Sequence, residues 1–357
     1  MKKILPNIIL FFMSISSGLG SILVFPIAIK HKSKILYPVA SSYLVFKLSL
    51  AFNPPESYDY FKHLQNLKDG LNLSEILTYY LLESGTNFLF PVLSFVLNLF
   101  IQNEKITLAT ISASIIFLIL YALELYIAES KKERTLLRFF GFVSISLISV
   151  LSGIRFMLAI AFFTFGVYFL TKRKIRSAIV LILMAVLTHF STLLFVPALL
   201  LKRKVKNIKM ARITMIIFVI FAPTLLLISI KQISLISENY SYLYNAYLEN
   251  RILFERNIIW YIIHFSPLVI YGLYFLQKAE LKDFYLLTLI LSFILYPIIL
   301  DRILMGLTPL FVFPILRELK QKTKILLLII YTLKFMFDVY DNFQVYKDSA
   351  LNLEFLL

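Results

Sequence analysis

The chain has 357 residues, 60% of them hydrophobic, and its mean hydropathy of +0.84 is too apolar for a water-soluble surface. It contains no cysteine, which excludes disulfides, thiolate metal sites and a cysteine nucleophile. The formal net charge of +16 does not indicate nucleic-acid binding, because most basic residues lie in short clusters between apolar segments. That pattern is typical of cytoplasmic loops that face anionic lipid, so the composition predicts an all-α polytopic membrane protein.

Uncharged stretches recur along the chain, and several approach the ~20 residues with which a helix crosses about 30 Å of hydrocarbon. They cover residues 4–29, 35–46, 106–123, 139–154, 213–230, 258–276, 284–300 and 325–333. The first is too long for the apolar part of a signal peptide, so we expect a retained helix. No soluble domain of ordinary size fits between these stretches, which predicts that residues 1–357 form a single integral membrane domain.

The basic clusters predict the topology, because two neighbouring clusters on the cytoplasmic side require an even number of crossings between them. These clusters lie at residues 30–34, 131–138, 172–176, 202–212, 278–282 and 317–324. Between Arg138 and Lys172 there is room only for two helices of ~16 residues, each about 24 Å long. We expect them to turn at residues 152–155, which places Arg155 at the outward tip of a short hairpin.

The same reasoning predicts two further hairpins, with tips at Thr188–Ser191 and at Asp301–Arg302. The hairpin that contains His189 is too short to cross a bilayer, so we expect it to be buried or to line a water-filled cavity. In total the pattern predicts about twelve helical segments with both termini outside. Outer-face loops are expected at residues 53–87 and 231–256, and a re-entrant or interfacial segment at 87–102.

Two hairpin tips carry the leading candidates for chemistry, since an ionised side chain within a membrane costs at least ~2.5 kcal/mol. Arg155 follows Gly153 and starts a new helix, which favours an anion pocket, although it could instead pair with a structural carboxylate or reach the lipid headgroups. His189 could accept a proton from a hydroxyl or donate a hydrogen bond to a phosphate. The alternative for His189 is a core histidine bonded to a carbonyl.

Five more residues on the predicted outer side are candidates, and one of them, an arginine, has a charged neighbour. Asp59 and Glu83 are the leading acidic residues, with Tyr58 and Tyr60 as aromatic rings suited to the membrane interface or to sugar stacking. Solvated loop carboxylates are the alternative. Arg302 could bind an anion or form an internal ion pair with Asp301. The remaining three histidines are expected to be structural: His31 and His63 in loops, and His264 packed on a helix.

The order of these elements resembles the EpsG family, which is related to Wzy-type O-antigen and capsule polymerases. The resemblance is carried by an Asp among tyrosines in "SYDYF", an E-x-G-like element in "ESGTNF", then "SGIRFMLA", "LTHFSTLLFVP" and "DRI", from about Asp59 to Arg302. Many relatives are closer to E-P-G-F at the second element, where this chain has inserted residues. The transfer of a role to Glu83 therefore rests on a weaker match than the others.

The resemblance implies a membrane glycosyltransferase of GT-C-like architecture that uses lipid-linked sugars on the outer face of the inner membrane. Arg155, His189 and Arg302 fall on the family's basic positions, and Asp59 and Glu83 on its acidic positions. The implied substrates are oligosaccharides linked to undecaprenyl pyrophosphate. A regulator of chain length is a candidate partner beside the lipid bilayer. No motif requires a cofactor or a metal.

The resulting hypothesis is a polymerase for O-antigen or exopolysaccharide that transfers a growing glycan from undecaprenyl pyrophosphate to a lipid-linked repeat unit. Arg155 and Arg302 would stabilise the leaving pyrophosphate, where charge develops as the bond to C1 breaks. As proton acceptor, His189 ranks first and Asp59 second. A lipid-linked oligosaccharide flippase or transporter, an O-antigen ligase and a membrane O-acyltransferase are the alternatives. The sequence contains no Walker-type loop, so nucleotide-driven transport lacks its usual motif.

Overall fold

The computed structural model describes residues 18–53, 56, 59–69, 72–75, 77–78, 87–126, 131–196, 262, 266, 304–306, 308–313 and 319–341. Within these residues the fold is helical and contains no strand. The helices are α1 (Gly18–Lys30), α2 (Leu36–Ala51), α3 (Asp59–Lys68), α4 (Leu89–Ile101), α5 (Glu104–Tyr126), α6 (Lys131–Val143), α7 (Leu147–Ser152), α8 (Ile154–Thr171), α9 (Ile175–Thr188) and α10 (Gln321–Asp341). A 3₁₀ helix follows α9 at Phe190–Leu194, and a short π-helix lies at Thr308–Val312.

The central element is α5, which packs against α2, α3, α4, α6, α7 and α8. Its 23 residues contain neither proline nor glycine, and the side chain of Asn103 caps its start by accepting the Ile106 N–H at 2.9 Å. At 1.5 Å per residue α5 is about 34 Å long, and the 18 residues of α8 span about 27 Å. Both are long and apolar enough to cross a membrane.

One end of the helix assembly, here called the basic end, brings three of the predicted cytoplasmic clusters together. The guanidinium of Arg138 donates to the carbonyls of His31 at 2.6 Å and Ser33 at 2.8 Å, which joins the first two clusters. Tyr126 at the end of α5 contacts Tyr168, just before the third cluster, with ring centroids 5.6 Å apart. This arrangement satisfies the requirement that these clusters share a side, while which side is cytoplasmic stays a prediction.

The opposite end, here called the site end, is where α2 finishes and α5 begins. The Nζ of Lys105 donates to Oδ1 of Asn53 at 3.3 Å. Since α5 starts here and finishes at the basic end, α2 runs antiparallel to α5 and α8 runs parallel to it.

The described surface is apolar along whole helix faces. On α9, Ile175, Ile179 and Leu183 are about half exposed and lie four residues apart, so they form one stripe. A second stripe on α10 consists of Ile325, Ile329, Leu333 and Met336. Exposed apolar stripes of this length are typical of surfaces that face lipid, so together with the long apolar helices they indicate a membrane protein.

Arg138 corrects one expectation, because it was predicted to belong to a lipid-facing basic cluster and is instead fully buried. Its side chain is 0% exposed, and its Nη2 donates to Oε2 of Glu124 at 2.8 Å, while Nε donates to the other carboxylate oxygen. Nη1 also donates to the carbonyls of Ala28 at 2.9 Å and Ile29 at 3.1 Å, near the end of α1. Arg138 therefore satisfies carbonyls that the helix itself leaves unpaired.

The predicted hairpin between residues 139 and 170 is only partly as expected. The chain does break at Gly153, within the predicted turn. The segment before it is not one helix of ~16 residues, however, but α6, which already begins within the basic cluster, followed by the six residues of α7. The third hairpin tip and the loop at 231–256 lie outside the described residues. The count of about twelve segments and the GT-C-like architecture stay predictions.

Helices α8 and α9 pack closely on each other through a tight connection and a small residue. Arg173 turns the chain in the left-handed region with φ of 59°, and its N–H donates to the Leu170 carbonyl at 3.1 Å. At Gly166 a Cβ would lie 2.8 Å from Cγ1 of Ile182 and 3.3 Å from the carbonyl oxygen of Ala178. Glycine at this position therefore permits the close approach.

The chain divides into two compact units, Met1–Thr192 with Val312–Leu357, and Leu193–Phe311. All ten labelled helices belong to the first unit. In the second, Oγ1 of Thr308 donates to the carbonyl of Leu304 at 3.3 Å. That residues 1–357 act as one integral membrane domain stays a prediction.

Candidate functional site

The site is built around α3, a short amphipathic helix within the segment predicted to be an outer loop. Tyr60, His63 and Leu67 are its buried residues, at the i, i+3 and i+7 spacing of one helix face. Asp59 is its first residue, where the unpaired N–H groups of a helix start favour a carboxylate. Since α3 packs against α7 and α8, this carboxylate lies next to the start of α8.

Tyr60 fixes α3 to the rest of the fold. It is 0% exposed, its hydroxyl lies 3.0 Å from Oγ of Ser49 on α2, and its ring meets the Phe52 ring edge-on with centroids 5.5 Å apart. Burial raises the pKa of Tyr60 to about 12, so the hydroxyl stays protonated. The ring of Tyr60 is enclosed by protein and anchors the helix that carries Asp59, while its predicted contact with substrate stays a prediction.

Asp59 and Arg155 form an ion pair across 96 residues of sequence. Nη2 of Arg155 donates to Oδ2 of Asp59 at 3.1 Å, and the side chains remain 19% and 33% exposed, respectively. Burial by itself would raise the pKa of Asp59, but the charge and hydrogen bond of Arg155 outweigh it, so the pKa lies below its ordinary value. The pair couples the leading basic candidate to the leading acidic one.

His189 lies directly after α9, where the chain becomes extended at φ −154°. Its ring meets that of Phe156, the residue after Arg155, edge-on with centroids 5.3 Å apart. Its Nδ1 lies 2.7 Å from the Ser191 hydroxyl and accepts the Ser191 backbone N–H at 3.3 Å. Because that N–H can only donate, it favours the neutral tautomer with the proton on Nε2.

His63 was expected to be a loop residue without a functional role, and it belongs to the same cluster. Its side chain is 4% exposed and its ring packs on Phe90 with centroids 4.5 Å apart. Burial, followed by the nearby charge of Arg155, lowers the pKa of His63 to about 3, so the imidazole is neutral at physiological pH. The signal in the sequence was its spacing of four residues from Asp59, which places both on one side of a helix.

The structure thus brings together Asp59, Arg155 and His189 of the predicted set and adds His63. Tyr58, Glu83 and Arg302 lie outside the described residues, so their predicted roles stay predictions. In the described part of the chain, no group of three or more His, Asp or Glu side chains is arranged to hold a metal ion.

Chemically, the arrangement suits an anionic substrate that also carries hydroxyl groups. A guanidinium held by a carboxylate has further N–H groups that can bind phosphate oxygens, and an imidazole with its proton on Nε2 can donate another hydrogen bond. The carboxylate of Asp59 can accept a hydrogen bond from a hydroxyl.

The comparison with protein families gives a match that covers most of the chain. The family described as the EpsG family matches residues 34–355, a range that includes every residue of the site. Neither a curated protein nor a solved structure matches the chain.

Proposed function

The chain belongs to the EpsG family, and we propose that it is a membrane glycosyltransferase that polymerises lipid-linked oligosaccharide repeat units. The donor would be a growing glycan on undecaprenyl pyrophosphate, and the acceptor a second lipid-linked repeat unit of an O-antigen or exopolysaccharide. The observation that carries the proposal is the Asp59–Arg155 pair at the site end, beside His189. It supplies a cation for the pyrophosphate and a carboxylate for the acceptor within one cluster.

In the proposed reaction the acceptor hydroxyl attacks C1 of the donor sugar, and the bond between C1 and the pyrophosphate oxygen breaks. Arg155 stabilises the negative charge that develops on the leaving pyrophosphate, a role for which the planar fork of arginine is suited. Arg302 was predicted to share this role and remains part of the proposal, as does Glu83 on the acidic side.

His189 was predicted to be the proton acceptor, whereas its hydrogen bonds to Ser191 favour a donor role in our proposal. With the proton on Nε2, the imidazole is a donor, so we place it on a pyrophosphate oxygen next to Arg155. Asp59 then accepts the proton of the attacking hydroxyl, as a carboxylate does for water in inverting glycosidases. A base role for His189 would require the other tautomer, with Nδ1–H donating to the Ser191 hydroxyl.

The two roles of His189 are separable by substitution. Glutamine offers an amide N–H near the position of Nε2 but cannot take up a proton. If His189 donates to the pyrophosphate, His189→Gln retains measurable polymerisation while His189→Ala loses it. Equal loss in both variants would assign His189 as the base.

The proposed location is the inner membrane, with the site end facing the periplasm or the cell exterior. The grouping of three basic clusters at the basic end supports this orientation. Reporter fusions at Arg173 and Arg155 test it: a cytoplasmic signal at 173 with an external signal at 155 is expected. A cytoplasmic signal at 155 would contradict the outward-facing site.

The decisive experiment uses a deletion strain complemented with variants, with the surface glycan separated by size. A strain without a polymerase displays a single repeat unit, whereas one without a flippase or a ligase displays none. Arg155→Ala should lower the rate of polymerisation by about 10²- to 10³-fold, and Arg155→Lys should restore only part of it. Arg176→Ala is the matched control, since it removes an exposed arginine from the basic end. A normal ladder from Arg155→Ala would refute the assignment.

A further inference from the structure

The imidazole of His63 has no task in the reaction proposed above, yet its hydrogen bonding is incomplete. Its Nε2 is buried, and no described residue provides it with a hydrogen-bond partner. Leaving a polar atom buried without a partner costs stability, so such an atom calls for an explanation in a native fold.

The position of His63 points to Asp59 as the missing partner. The two residues are four apart on α3, and side chains at this spacing are neighbours, with about 5–6 Å between their Cβ atoms. The charges of Asp59, Arg155 and Lys62 also act on His63: the carboxylate raises its pKa, and the two cations lower it. In the structure Oδ2 of Asp59 accepts a hydrogen bond from Nη2 of Arg155 at 3.1 Å.

A pyrophosphate would compete with Asp59 for Arg155. It carries more negative charge than a carboxylate and can accept two parallel hydrogen bonds from a guanidinium. Asp59 would then keep its charge but lose its partner at a partly buried position, which is unfavourable unless another donor replaces Arg155.

We propose that Asp59 exchanges partners when the donor substrate binds, leaving Arg155 and accepting a hydrogen bond from Nε2 of His63. His63 is then a positioning residue: it holds the carboxylate of Asp59 towards the acceptor hydroxyl while Arg155 holds the pyrophosphate. The proposal rests on the proposed function, since it takes a lipid pyrophosphate as the ligand of Arg155. A neutral imidazole suits this task, because it donates a hydrogen bond without competing with Arg155 for the anion.

The test is a double-mutant cycle for the binding of radiolabelled undecaprenyl pyrophosphate to the full-length chain in nanodiscs. His63→Leu should bind about tenfold more weakly than wild type, because Asp59 loses its second partner. In an Asp59→Asn background, His63→Leu should have no further effect, because the charge that needed the partner is gone.

Two further variants distinguish the loss of the Nε2 hydrogen bond from a folding defect. The amide nitrogen of His63→Gln reaches the position of Nε2, whereas that of His63→Asn reaches only the position of Nδ1. We expect His63→Gln to bind within about threefold of wild type and His63→Asn to bind as weakly as His63→Leu. Tyr126→Phe is the matched control at the basic end. It removes a buried hydroxyl that, like Nε2 of His63, has no hydrogen-bond partner among the described residues, and it should leave binding unchanged.

The outcomes separate this inference from the proposed function. A loss from His63→Leu that persists in the Asp59→Asn background would mean that His63 contacts the ligand directly, and it would overturn the exchange. Unchanged binding in His63→Leu would overturn it as well. Failure of the wild-type chain to bind undecaprenyl pyrophosphate would instead overturn the proposed function, and the exchange with it.

Discussion

Replacing Arg138 by methionine should be among the most destabilising single changes in the described part of the fold. The substitution keeps an unbranched side chain of related length but removes every N–H that the guanidinium donates. Glu124, which is 1% exposed, would be left as a buried carboxylate without its ion-pair partner. Breaking a buried pair in this way typically costs about 3–5 kcal/mol.

The carbonyls at the end of α1 add to this cost. Arg138 donates to those of Ala28 and Ile29, and a buried acceptor that loses its donor costs about 1–3 kcal/mol. The Ala28 carbonyl keeps a second bond, at 3.3 Å from the His31 N–H, so we count one such loss. The expected total of about 4–8 kcal/mol is comparable with the whole stability of many folded proteins.

The measurement is equilibrium unfolding of the purified full-length chain in mixed detergent with rising denaturant, followed by the loss of helical signal. Glu124→Leu combined with Arg138→Met should be less destabilising than Arg138→Met alone, because it leaves no buried charge. Arg176→Met is the control for an exposed arginine. If Arg138→Met and Arg176→Met lower the free energy of unfolding by equal amounts, the assignment of Arg138 as a buried clamp is wrong.

Three smaller effects follow from the geometry. Asp59→Asn should reduce the pH dependence of the free energy of unfolding in acid. Because the pKa of Asp59 is lowered in the fold, its pair with Arg155 stabilises the protein above about pH 4, and this stabilisation is lost as the pH falls through the folded-state pKa. Since both side chains are partly exposed, we expect at most about 1 kcal/mol, and a wild-type–variant difference that does not vary between pH 7 and 3 would contradict this. Gly166→Leu should destabilise the packing of α8 on α9 by about 1–3 kcal/mol, with partial recovery when Ile182→Ala provides room; unfolding titrations of the single and double variants measure it. Arg173→Gly should stabilise the fold by about 1 kcal/mol relative to Arg173→Ala, which also removes the charge but keeps a Cβ at φ 59°; equal stability of the two would show that this turn is unstrained.

Local features of the sequence predicted the ends of the site helices well. Gly153 breaks the chain before Arg155, and α9 ends at Thr188 immediately before His189. Both boundaries followed from counting residues between basic clusters, which depends only on helix length and bilayer thickness. The same count could not place residue pairs distant in sequence, so the partner of Arg155 remained open between a structural carboxylate, a lipid headgroup and a substrate.

Burial of charged and aromatic residues was harder to predict. Arg138 lies in "KKERTLLRFF", a pattern that resembles a solvated basic loop, and its burial depends on Glu124 and on α1, which only the tertiary fold brings near. The sequence around Tyr60 likewise suggests an interfacial tyrosine, whereas in the fold its hydroxyl forms a hydrogen bond with Ser49 of α2. By contrast, the helical spacing of Asp59 and His63 was visible in the sequence and could have revealed α3.

The unequal lengths of α5 and α8 set the depth of the site. The two helices are level where Tyr126 meets Tyr168, and Arg155 lies 13 residues, or about 20 Å, from that level along α8. Since α5 continues for about 13 Å beyond the same height, Arg155 lies below the level at which α5 begins. At such a depth water screens charge less than it does at an open surface, so the attraction between Arg155 and the pyrophosphate of the proposed function should vary little with the salt concentration of the surrounding solution.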